Sequence, residues 1–482
     1  MRSVARGVSW KVASAVVGQG TWYASLFVLA ILLAPRDFAV MAIGSAVANF
    51  TLLVLSSGTG ASLIVARDLR PAAVRRALIR VSITGIAATA LFIALAQPIA
   101  DTFTGGADAL ALRLIALQVA LAAVAIVPKA LLQKQLRFKV TAQIWILAAV
   151  VASGASIVAA VLGAGVWALV IRFLVYQLLI TVLTFVAARD LLPRGAASTG
   201  RVPRPAGATA FLAIAIAGFI AWTCDNLVVG VFTNPTQLGL YALAFSLAYM
   251  PLTQISWAVG QVLLPAIAAA RSESVVGRQT LKATQMMALL LLPLGPIAVA
   301  LAPGLIPAVL GRKWEGMVVP FQILVLVGVA QGVLNTLGES LAAVGGRSVS
   351  ARARIDVVWA VATLGAIVVG VKVGGIRGAS TAHVVTFCGL AVAYVWRGSR
   401  LIGLSAHTLA SALRSVWVCV AAQGAVTAAV VLGLRYAGSG WSAAGLAGAL
   451  AGVIALGAAL RSFPELRSES RRVVAALRSA GA

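Results

Sequence analysis

The sequence predicts an all-α, polytopic membrane protein with about fourteen transmembrane helices. Hydrophobic residues make up 61% of the 482 positions, charged residues only 10%, and the mean hydropathy is +1.02. Soluble domains carry roughly 25% charged residues, so this chain has too little polar surface to cover a water-soluble particle. The composition therefore excludes a soluble enzyme, a disordered chain and a secreted disulfide-bonded scaffold, and it favours a bundle of membrane-spanning helices.

Fourteen apolar runs, most of them close to the roughly 20 residues that cross a bilayer as a helix, follow one another along the chain. The first six predicted spans are 12–34, 37–64, 81–100, 109–128, 141–162 and 165–188. The next six are 208–231, 238–264, 283–302, 317–343, 355–371 and 375–396, and the last two are 411–434 and 441–460. Pro251, Pro293 and Pro296 fall inside two of these spans and predict bent helices.

The spans group into two lobes. A segment rich in Pro, Gly and Arg, residues 189–207, follows the sixth helix and is typical of a linker on the cytoplasmic side. Residues 1–188 are therefore the predicted N-terminal six-helix lobe, and 208–397 are the C-terminal six-helix lobe. Residues 398–482 are two extra helices with a cytoplasmic tail.

Short matches predict that the lobes are pseudo-symmetric copies of one bundle. Residues 33–42 align with 233–242 at an offset of 200. Further along, the offset is 210, and the matched pairs are Leu131 with Leu341, Arg137 with Arg347, and Gly165 with Gly375. A period that covers six helices is the repeat of a whole bundle. Because six is even, both copies start on the same side of the membrane.

The positions of Lys and Arg predict the topology. The segments between predicted spans alternate between the two sides of the membrane. Thirty of the 38 basic residues fall on the side that includes the N-terminus, and six fall in the segments of the other side. Cytoplasmic loops are enriched in Lys and Arg, so both termini are predicted to be cytoplasmic in a multi-pass protein of the plasma or inner membrane. The net charge of +26 is attributed to this topology and not to nucleic-acid binding.

Ionisable groups inside the spans are candidates for a substrate cavity, because burying them in hydrocarbon is costly. Arg172 and Asp225 both lie roughly 10 Å below the outer boundary, and equal depth allows an ion pair between them. Arg113 lies near the outer end of its span. The alternatives are a buried structural pair for Arg172 and Asp225, and a side chain that snorkels to the surface for Arg113.

Two stripes of polar side chains are predicted nearer the cytoplasm, and further amide side chains lie in the first lobe. The stripes are Gln331, Asn335 and Glu339, four residues apart, and Gln254 and Gln261, seven apart. The first-lobe positions are Gln19, Gln118, Gln143 and Gln177. Such residues line a water-filled path or hold helices together, and both interpretations remain open. Asp356, which follows Arg352, is interpreted as a helix-start or surface-pair residue.

No pattern of residues points to catalysis. The three cysteines lie in separate apolar runs without metal-ligand spacing, and His383 and His407 have no carboxylate at such a spacing. The chain also has no phosphate-binding loop. The sequence therefore predicts a protein that is not an enzyme and that holds neither a metal nor a cofactor.

Several segments resemble a known family of transporters. They are residues 131–139, 163–170, 225–230, 238–244 with the later Pro251, and 311–314 with the later Gln322. Taken in order over roughly residues 5–400, they resemble the polysaccharide transport family, the Wzx-type flippases of the multidrug/oligosaccharidyl-lipid/polysaccharide (MOP) exporter superfamily. One departure is Ala39 after Phe38, where the family usually has glycine.

The resemblance implies a two-lobe flippase that works by alternating access. Its substrate would be a polyprenyl-diphosphate-linked oligosaccharide, a precursor of polysaccharide or lipopolysaccharide, moved from the cytoplasmic to the outer leaflet. The family is thought to use a cationic central cavity, and the resemblance assigns that role to no particular residue here. The implied partners are the lipid-linked oligosaccharide and membrane lipid, with polysaccharide assembly proteins as further candidates.

Other functions remain open. A peptidoglycan-precursor flippase and a multidrug antiporter of the same superfamily share the architecture. A polytopic glycosyltransferase or polymerase is disfavoured, because such enzymes need a large outer loop and the predicted outer loops are short. A scaffold of an export complex would not need Arg172 and Asp225 inside its helices.

Overall fold

The described part of the chain consists of helices joined by short turns. The computed structural model describes residues 2–56, 63, 71–106, 108–193, 208–249, 273–344 and 346–463, and no β-strand occurs in these ranges. Eleven stretches among them are long and apolar enough to cross a membrane, as expected for a multi-pass membrane protein. Three of these stretches contain more than one helical segment, and residues 250–272 lie outside the described ranges, so the count of about fourteen spans stays a prediction.

The chain divides into two compact units, Met1–Ala242 and Leu243–Ala482. The helices described in the first unit are α1 (Arg2–Leu32), α2 (Pro35–Ser56), α3 (Pro71–Phe103), α4 (Ala109–Lys134), α5 (Phe138–Val161), α6 (Val166–Ala188), α7 (Ala208–Phe232) and the start of α8 (Pro235–Ala248). Helix α4 packs against α2, α3 and α6, while α5 packs against α1 and α6. Leu112 and Ile115 of α4 are fully buried in this core. The lobe boundaries at 188 and 208 stay a prediction.

The second unit contains the remaining helices. They are α9 (Glu273–Leu291), α10 (Leu294–Leu310), a short 3₁₀ helix (Arg312–Met317), α11 (Val318–Val344), α12 (Gly346–Ala393), α13 (Ala406–Tyr436) and α14 (Trp441–Arg461). Helix α11 packs against α9, α10 and α12, and the α13–α14 pair packs on α10. The bend predicted at Pro293 is confirmed, because α9 ends two residues before it and α10 begins just after it. Pro251 lies outside the described residues.

Helix α12 is a hairpin of two antiparallel segments. Non-helical backbone at Gly374 and Gly375 separates them, which agrees with the predicted spans 355–371 and 375–396. Beside the turn, a Cβ atom added to Gly378 would lie 1.9 Å from the carbonyl oxygen of Gly370. The two segments therefore touch backbone to backbone there, at a distance that only glycine allows.

Four helices, α1, α3, α9 and α12, begin nine or ten residues earlier than hydropathy predicts, and two of them show the reason. Helix α3 begins at Pro71 rather than at residue 81, and α12 begins at Gly346 rather than at residue 355. Both extensions carry several arginines, which lower hydropathy without breaking a helix. Hydropathy marks the part of a helix that lies in hydrocarbon, and these polar first turns continue beyond that part.

The structure repeats its turns at the offsets found in the sequence. The turn between α1 and α2 falls at residues 33–34, and the turn between α7 and α8 falls at 233–234. Gly165 before α6 has φ 55° and ψ −131°, and Gly375, at an offset of 210, has φ 56° and ψ −140°. Ala39, where the resembling family has glycine, is buried within α2, so this departure does not disturb the turn.

A third pair of equivalent positions holds different residues. Leu136, between α4 and α5, is the one non-glycine residue with positive φ in the described ranges, at 54°. Its counterpart 210 residues later is Gly346, with φ 55°. The same left-handed turn is thus made by glycine in one copy and by a strained leucine in the other.

Replacing Leu136 by glycine should stabilise the protein slightly. The substitution relieves a left-handed conformation that costs an L-residue about 1–2 kcal/mol. Glycine adds freedom to the unfolded chain, which costs about 0.4–1 kcal/mol. Because Leu136 is exposed, little burial is lost, and we expect a higher melting temperature of the purified protein in detergent. Leu136→Ala retains Cβ and is the matched control; a Leu136→Gly protein that melts no higher than this control would contradict the expectation.

Candidate functional site

Arg172 is a fully buried cation in the first unit. It lies two turns into α6, and its Nη2 atom donates a hydrogen bond of 2.5 Å to the carbonyl oxygen of Trp22 in α1. Its guanidinium carbon lies 3.7 Å from the centre of the Trp22 ring, a close cation–π contact. Within the described ranges, Nε and Nη1 of Arg172 have no hydrogen-bond partner. The side chain therefore presents a positive charge with unused donors, which is the chemistry that binds an anion.

An aromatic cavity of about 190 Å³ lies between α1, α5 and α6, and one of its walls is Trp22, the residue that contacts this arginine. It is lined by Gly18, Gln19, Trp22, Trp145, Ala149 and Tyr176. Tyr176 packs edge-on against Trp22, with ring centres 5.4 Å apart. The Nζ atom of Lys129 lies 5.0 Å from the ring of Trp145, so each tryptophan of the cavity also contacts a cation.

Asp225 of α7 is fully buried as well, but it does not pair with Arg172. Its Oδ2 accepts a 3.0 Å hydrogen bond from the hydroxyl of Tyr241, and its Oδ1 accepts a 2.7 Å bond from the backbone N–H of Asn226. In the described ranges no ion pair joins Asp225 to Arg172, so the contact that equal depth allows is not made there. Equal depth allowed the contact, but Arg172 turns towards α1.

A second charged cluster lies in the second unit, around Arg352 of α12. Its Nη2 lies 3.2 Å from Glu339 of α11, and its Nε lies 3.3 Å from Asp356 one turn further on. Nη1 donates to the carbonyl oxygen of Gly338 at 2.9 Å, and the hydroxyl of Tyr394 donates to Asp356 at 2.6 Å. All three guanidinium nitrogens thus have partners inside the protein.

The interpretation of Asp356 as a helix-start or surface residue is wrong. Because α12 begins at Gly346, Asp356 lies ten residues inside the helix, and it is buried. Only its spacing from Arg352 correctly indicates a pair.

The remaining predicted site residues are distributed over several environments. Gln331 is buried in α11, Asn335 is half-buried, and Arg113 is exposed on α4. Gln254 and Gln261 lie outside the described residues. Whether these side chains bind substrate stays a prediction.

Hydroxyl groups, which were not predicted, join α9 to α11. Thr280 donates to Ser340 at 2.8 Å, and the hydroxyls of Thr284 and Thr336 lie 2.6 Å apart. This ladder follows the same helix as the polar stripe of Gln331 and Glu339. It shows that polar groups of α11 hold helices together at these positions.

Other residues of the two clusters were missed as well. Tyr176 follows Arg172 by four residues, so helical spacing could have indicated that they share a face. Trp22 and Tyr394 contact partners that are distant in the sequence, so no local sequence pattern indicates them. Gln19, predicted as a polar point, does line the cavity.

One ion pair lies outside the membrane-spanning segments. Arg137, before α5, is hydrogen-bonded to Asp190, just after α6, and Nη1 of Arg137 also donates to the carbonyl oxygen of Ala187 at 3.1 Å. The hydrogen bond from Arg137 lowers the pKa of Asp190. The pair is exposed, so it contributes little to stability, but it fixes the end of α6 against the start of α5.

Removing the cation of the second cluster should destabilise the protein. Arg352→Met leaves Glu339 and Asp356 without their shared partner, and breaking such a pair from one side costs about 3 kcal/mol. Arg347→Met is the matched control, because Arg347 is exposed at the start of the same helix. We expect a clearly lower melting temperature in detergent for Arg352→Met alone. Equal melting temperatures for the two variants would show that the cluster is not stabilising.

Comparisons with solved structures identify the fold. The lipid II flippase MurJ, in an inward closed conformation, superposes with a TM-score of 0.71 over 93% of this chain and 98% of its own, at 10% identity. An inward-facing multidrug resistance MATE family transporter of the MOP superfamily superposes with a TM-score of 0.53 over 82% of this chain and 99% of its own, at 16% identity. Because the identities are low, these likenesses show the fold alone, which is the predicted one.

Sequence relatives act in polysaccharide biosynthesis. The teichuronic acid biosynthesis protein TuaB of Bacillus subtilis is 33% identical over 122 residues, a quarter of each chain. The succinoglycan biosynthesis transport protein ExoT of Rhizobium meliloti is 24% identical over 337 residues, which are 69% of this chain and 67% of ExoT. The family model described as "Polysaccharide biosynthesis protein" matches residues 28–319. That match covers more than half of the chain, which therefore belongs to the polysaccharide biosynthesis protein family and has the fold of the MOP superfamily transporters.

Proposed function

We propose that this protein is a flippase that moves a polyprenyl-diphosphate-linked oligosaccharide from the cytoplasmic to the outer leaflet of the plasma or inner membrane. The observation that carries the proposal is Arg172, a buried guanidinium that has two unused donors and lies beside an aromatic cavity. Family membership supports a role in polysaccharide biosynthesis, and the geometry around Arg172 supports a substrate that carries an anionic group. Both termini are cytoplasmic in this proposal, and the protein carries out no covalent chemistry.

The headgroup is the part of the substrate that needs a protein. A diphosphate cannot cross hydrocarbon without partners, because an unpaired charge there costs far more than binding can recover. The unused donors Nε and Nη1 of Arg172 suit the oxygen atoms of a phosphate, with which Arg forms charge-assisted hydrogen bonds. The polyprenyl chain needs no such help, since it can remain in lipid throughout.

The aromatic walls suit the sugar part. Trp22, Trp145 and Tyr176 present flat apolar faces with polar edges, against which a sugar ring can stack while its hydroxyls bond to Gln19. The present volume of about 190 Å³ is below the roughly 300–1,000 Å³ of typical ligand sites. The headgroup therefore enters only after the helices around the cavity have separated, as alternating access requires.

The direction of transport can come from the membrane potential. With the cell interior negative, outward movement of an anion is favoured by about 2.3 kcal/mol per charge for each 100 mV. Acids that a coupled cation would use are Asp225 and Glu339. Asp225 accepts hydrogen bonds from Tyr241 and Asn226, whereas the side chain of Glu339 is 38% exposed and pairs with Arg352. Glu339 is therefore the more accessible of the two to an ion from the cytoplasm.

A second candidate function follows from the fold. The likeness to MurJ covers nearly the whole chain, and MurJ is a lipid II flippase, so a peptidoglycan precursor is the alternative substrate. A multidrug antiporter is less well supported, because a buried arginine repels the cations that many drugs carry.

A flipping assay with defined substrates tests the proposal. The full chain is reconstituted in liposomes with a polyprenyl-diphosphate-linked oligosaccharide that bears a fluorophore on its sugar, and an impermeant reductant bleaches the outer leaflet. We expect complete bleaching with protein and half-bleaching in empty liposomes. Lipid II and a cationic dye are tested in parallel. Movement of lipid II alone, or of the dye alone, would refute the proposed substrate.

Neutralising Arg172 should slow transport sharply without preventing folding. Arg172→Met keeps the length of the side chain but removes the charge and the donors, and a lost charge-assisted contact lowers the rate by roughly tenfold to a hundredfold. Arg36→Met is the matched control, since Arg36 is exposed in the first turn of α2. Size-exclusion chromatography verifies that both variants are folded. Normal flipping by a folded Arg172→Met protein would remove Arg172 from the transport pathway.

A further inference from the structure

An apolar groove runs along the outside of the α12 hairpin. One wall is a single face of the first segment, residues 351–366, and the other wall is a face of the second segment, residues 385–397. Its volume is about 700 Å³. At 1.5 Å per residue the first wall is about 22 Å long, which is most of the roughly 30 Å thickness of the hydrocarbon core.

Small residues form the floor of this groove. Ala362 and Ala366 lie on one side and Gly389 on the other, and a Cβ atom added to Gly389 would meet nothing within 4 Å. Larger apolar residues at the rim, such as Val358 and Val385, are exposed by 69% and 64%. In a membrane protein such a surface faces lipid, and its trough has the width and polarity for a hydrocarbon chain.

Positive charge marks one end of the groove. Arg354 and Arg397 line it there, both exposed, and within the described ranges neither forms an ion pair with an acid. Trp396, exposed by 59%, lies beside them. Tryptophan and arginine at a helix end are typical of the membrane–water interface, where lipid phosphates lie.

A residue deeper in the groove carries a buried donor without a partner in the described part of the chain. Trp359 lines it five residues beyond Arg354, about 7.5 Å further along the helix. The indole Nε1 of Trp359 is buried and has no acceptor in the described part of the chain. An acceptor from a bound molecule would satisfy this donor, and the ester carbonyls of a glycerophospholipid lie just below its phosphate.

We propose that the groove is a binding site for one anionic glycerophospholipid of the cytoplasmic leaflet. The phosphate lies between Arg354 and Arg397, an ester carbonyl accepts the hydrogen bond of Trp359, and one acyl chain fills the trough. The ester distinguishes this lipid from a polyprenyl diphosphate, which has no carbonyl to offer. The site is separate from the cavity near Arg172 and does not depend on the proposed function.

Native mass spectrometry tests the site. The full-length protein in detergent is mixed with equal amounts of phosphatidylglycerol and phosphatidylcholine, and the lipids that remain bound are counted. We expect one phosphatidylglycerol to be retained in preference to phosphatidylcholine. In Arg354→Gln/Arg397→Gln its retention should fall by about tenfold. Lys372→Gln/Arg377→Gln removes the same charge near the turn of the hairpin and should leave retention unchanged.

The acyl chain is tested by filling its trough. Gly389→Leu places a side chain in the groove and should abolish retention, whereas Gly365→Leu, in the same hairpin but outside the groove, should not. Glycerol phosphate, which lacks chains, should not compete. Equal retention of the two lipids, or equal losses in both arginine and control variants, would overturn the proposal. Bound phosphatidylglycerol can also be displaced by added lipid. If polyprenyl phosphate displaces it at a lower concentration than phosphatidylglycerol itself does, the proposal is overturned and the groove is assigned to the transport substrate. Flipping assays on the same variants measure transport independently of lipid retention. Failure of the lipid site and failure of the proposed function can therefore be told apart.

Discussion

The cost of a buried charge governs how this molecule is built. A guanidinium inside a helix bundle must find partners, and the fully buried Arg172 and the half-buried Arg352 find them differently. Arg352 is neutralised within the protein by Glu339 and Asp356, so its donors are used before any ligand arrives. Arg172 has one carbonyl and the face of one indole, and two of its donors remain unused. The first arrangement holds helices together, whereas the second leaves two donors of a buried cation unused, which is the basis of the proposed ligand site.

Most of the fold could be predicted from the sequence, because the bilayer imposes one simple rule on it. Every spanning segment must be apolar and helical, and the predicted spans 165–188 and 208–231 differ from α6 and α7 by one residue at most. The errors at α3 and α12 arise where this rule no longer applies. Their first turns, at Pro71 and Gly346, carry arginines beyond the hydrocarbon, where helices continue but hydropathy does not report them.

Less of the candidate site could be predicted, because pairing depends on direction as well as depth. Depth alone allowed Arg172 to meet Asp225, yet the rotation of α6 directs the guanidinium to Trp22. The Arg352–Asp356 pair could be recognised because it is local, one helical turn apart, while Tyr394 needed the α12 hairpin to close. The sequence thus located the costly residues, and the packing of the helices determined their partners.

The internal repeat separates what the fold requires from what transport requires. At the offset of 200 the turns are the same, and Trp22 corresponds to Trp222. At the offset of 210 Arg172 corresponds to Ala382, Arg352 to Ala142 and Asp356 to Ile146. Ala382 and Ala142 are both buried, so equivalent positions of the same fold are occupied by small apolar residues without difficulty. The fold itself therefore does not demand a charge at these positions. Arg172, which also lacks internal partners for two donors, is the charge on which the proposed ligand site rests.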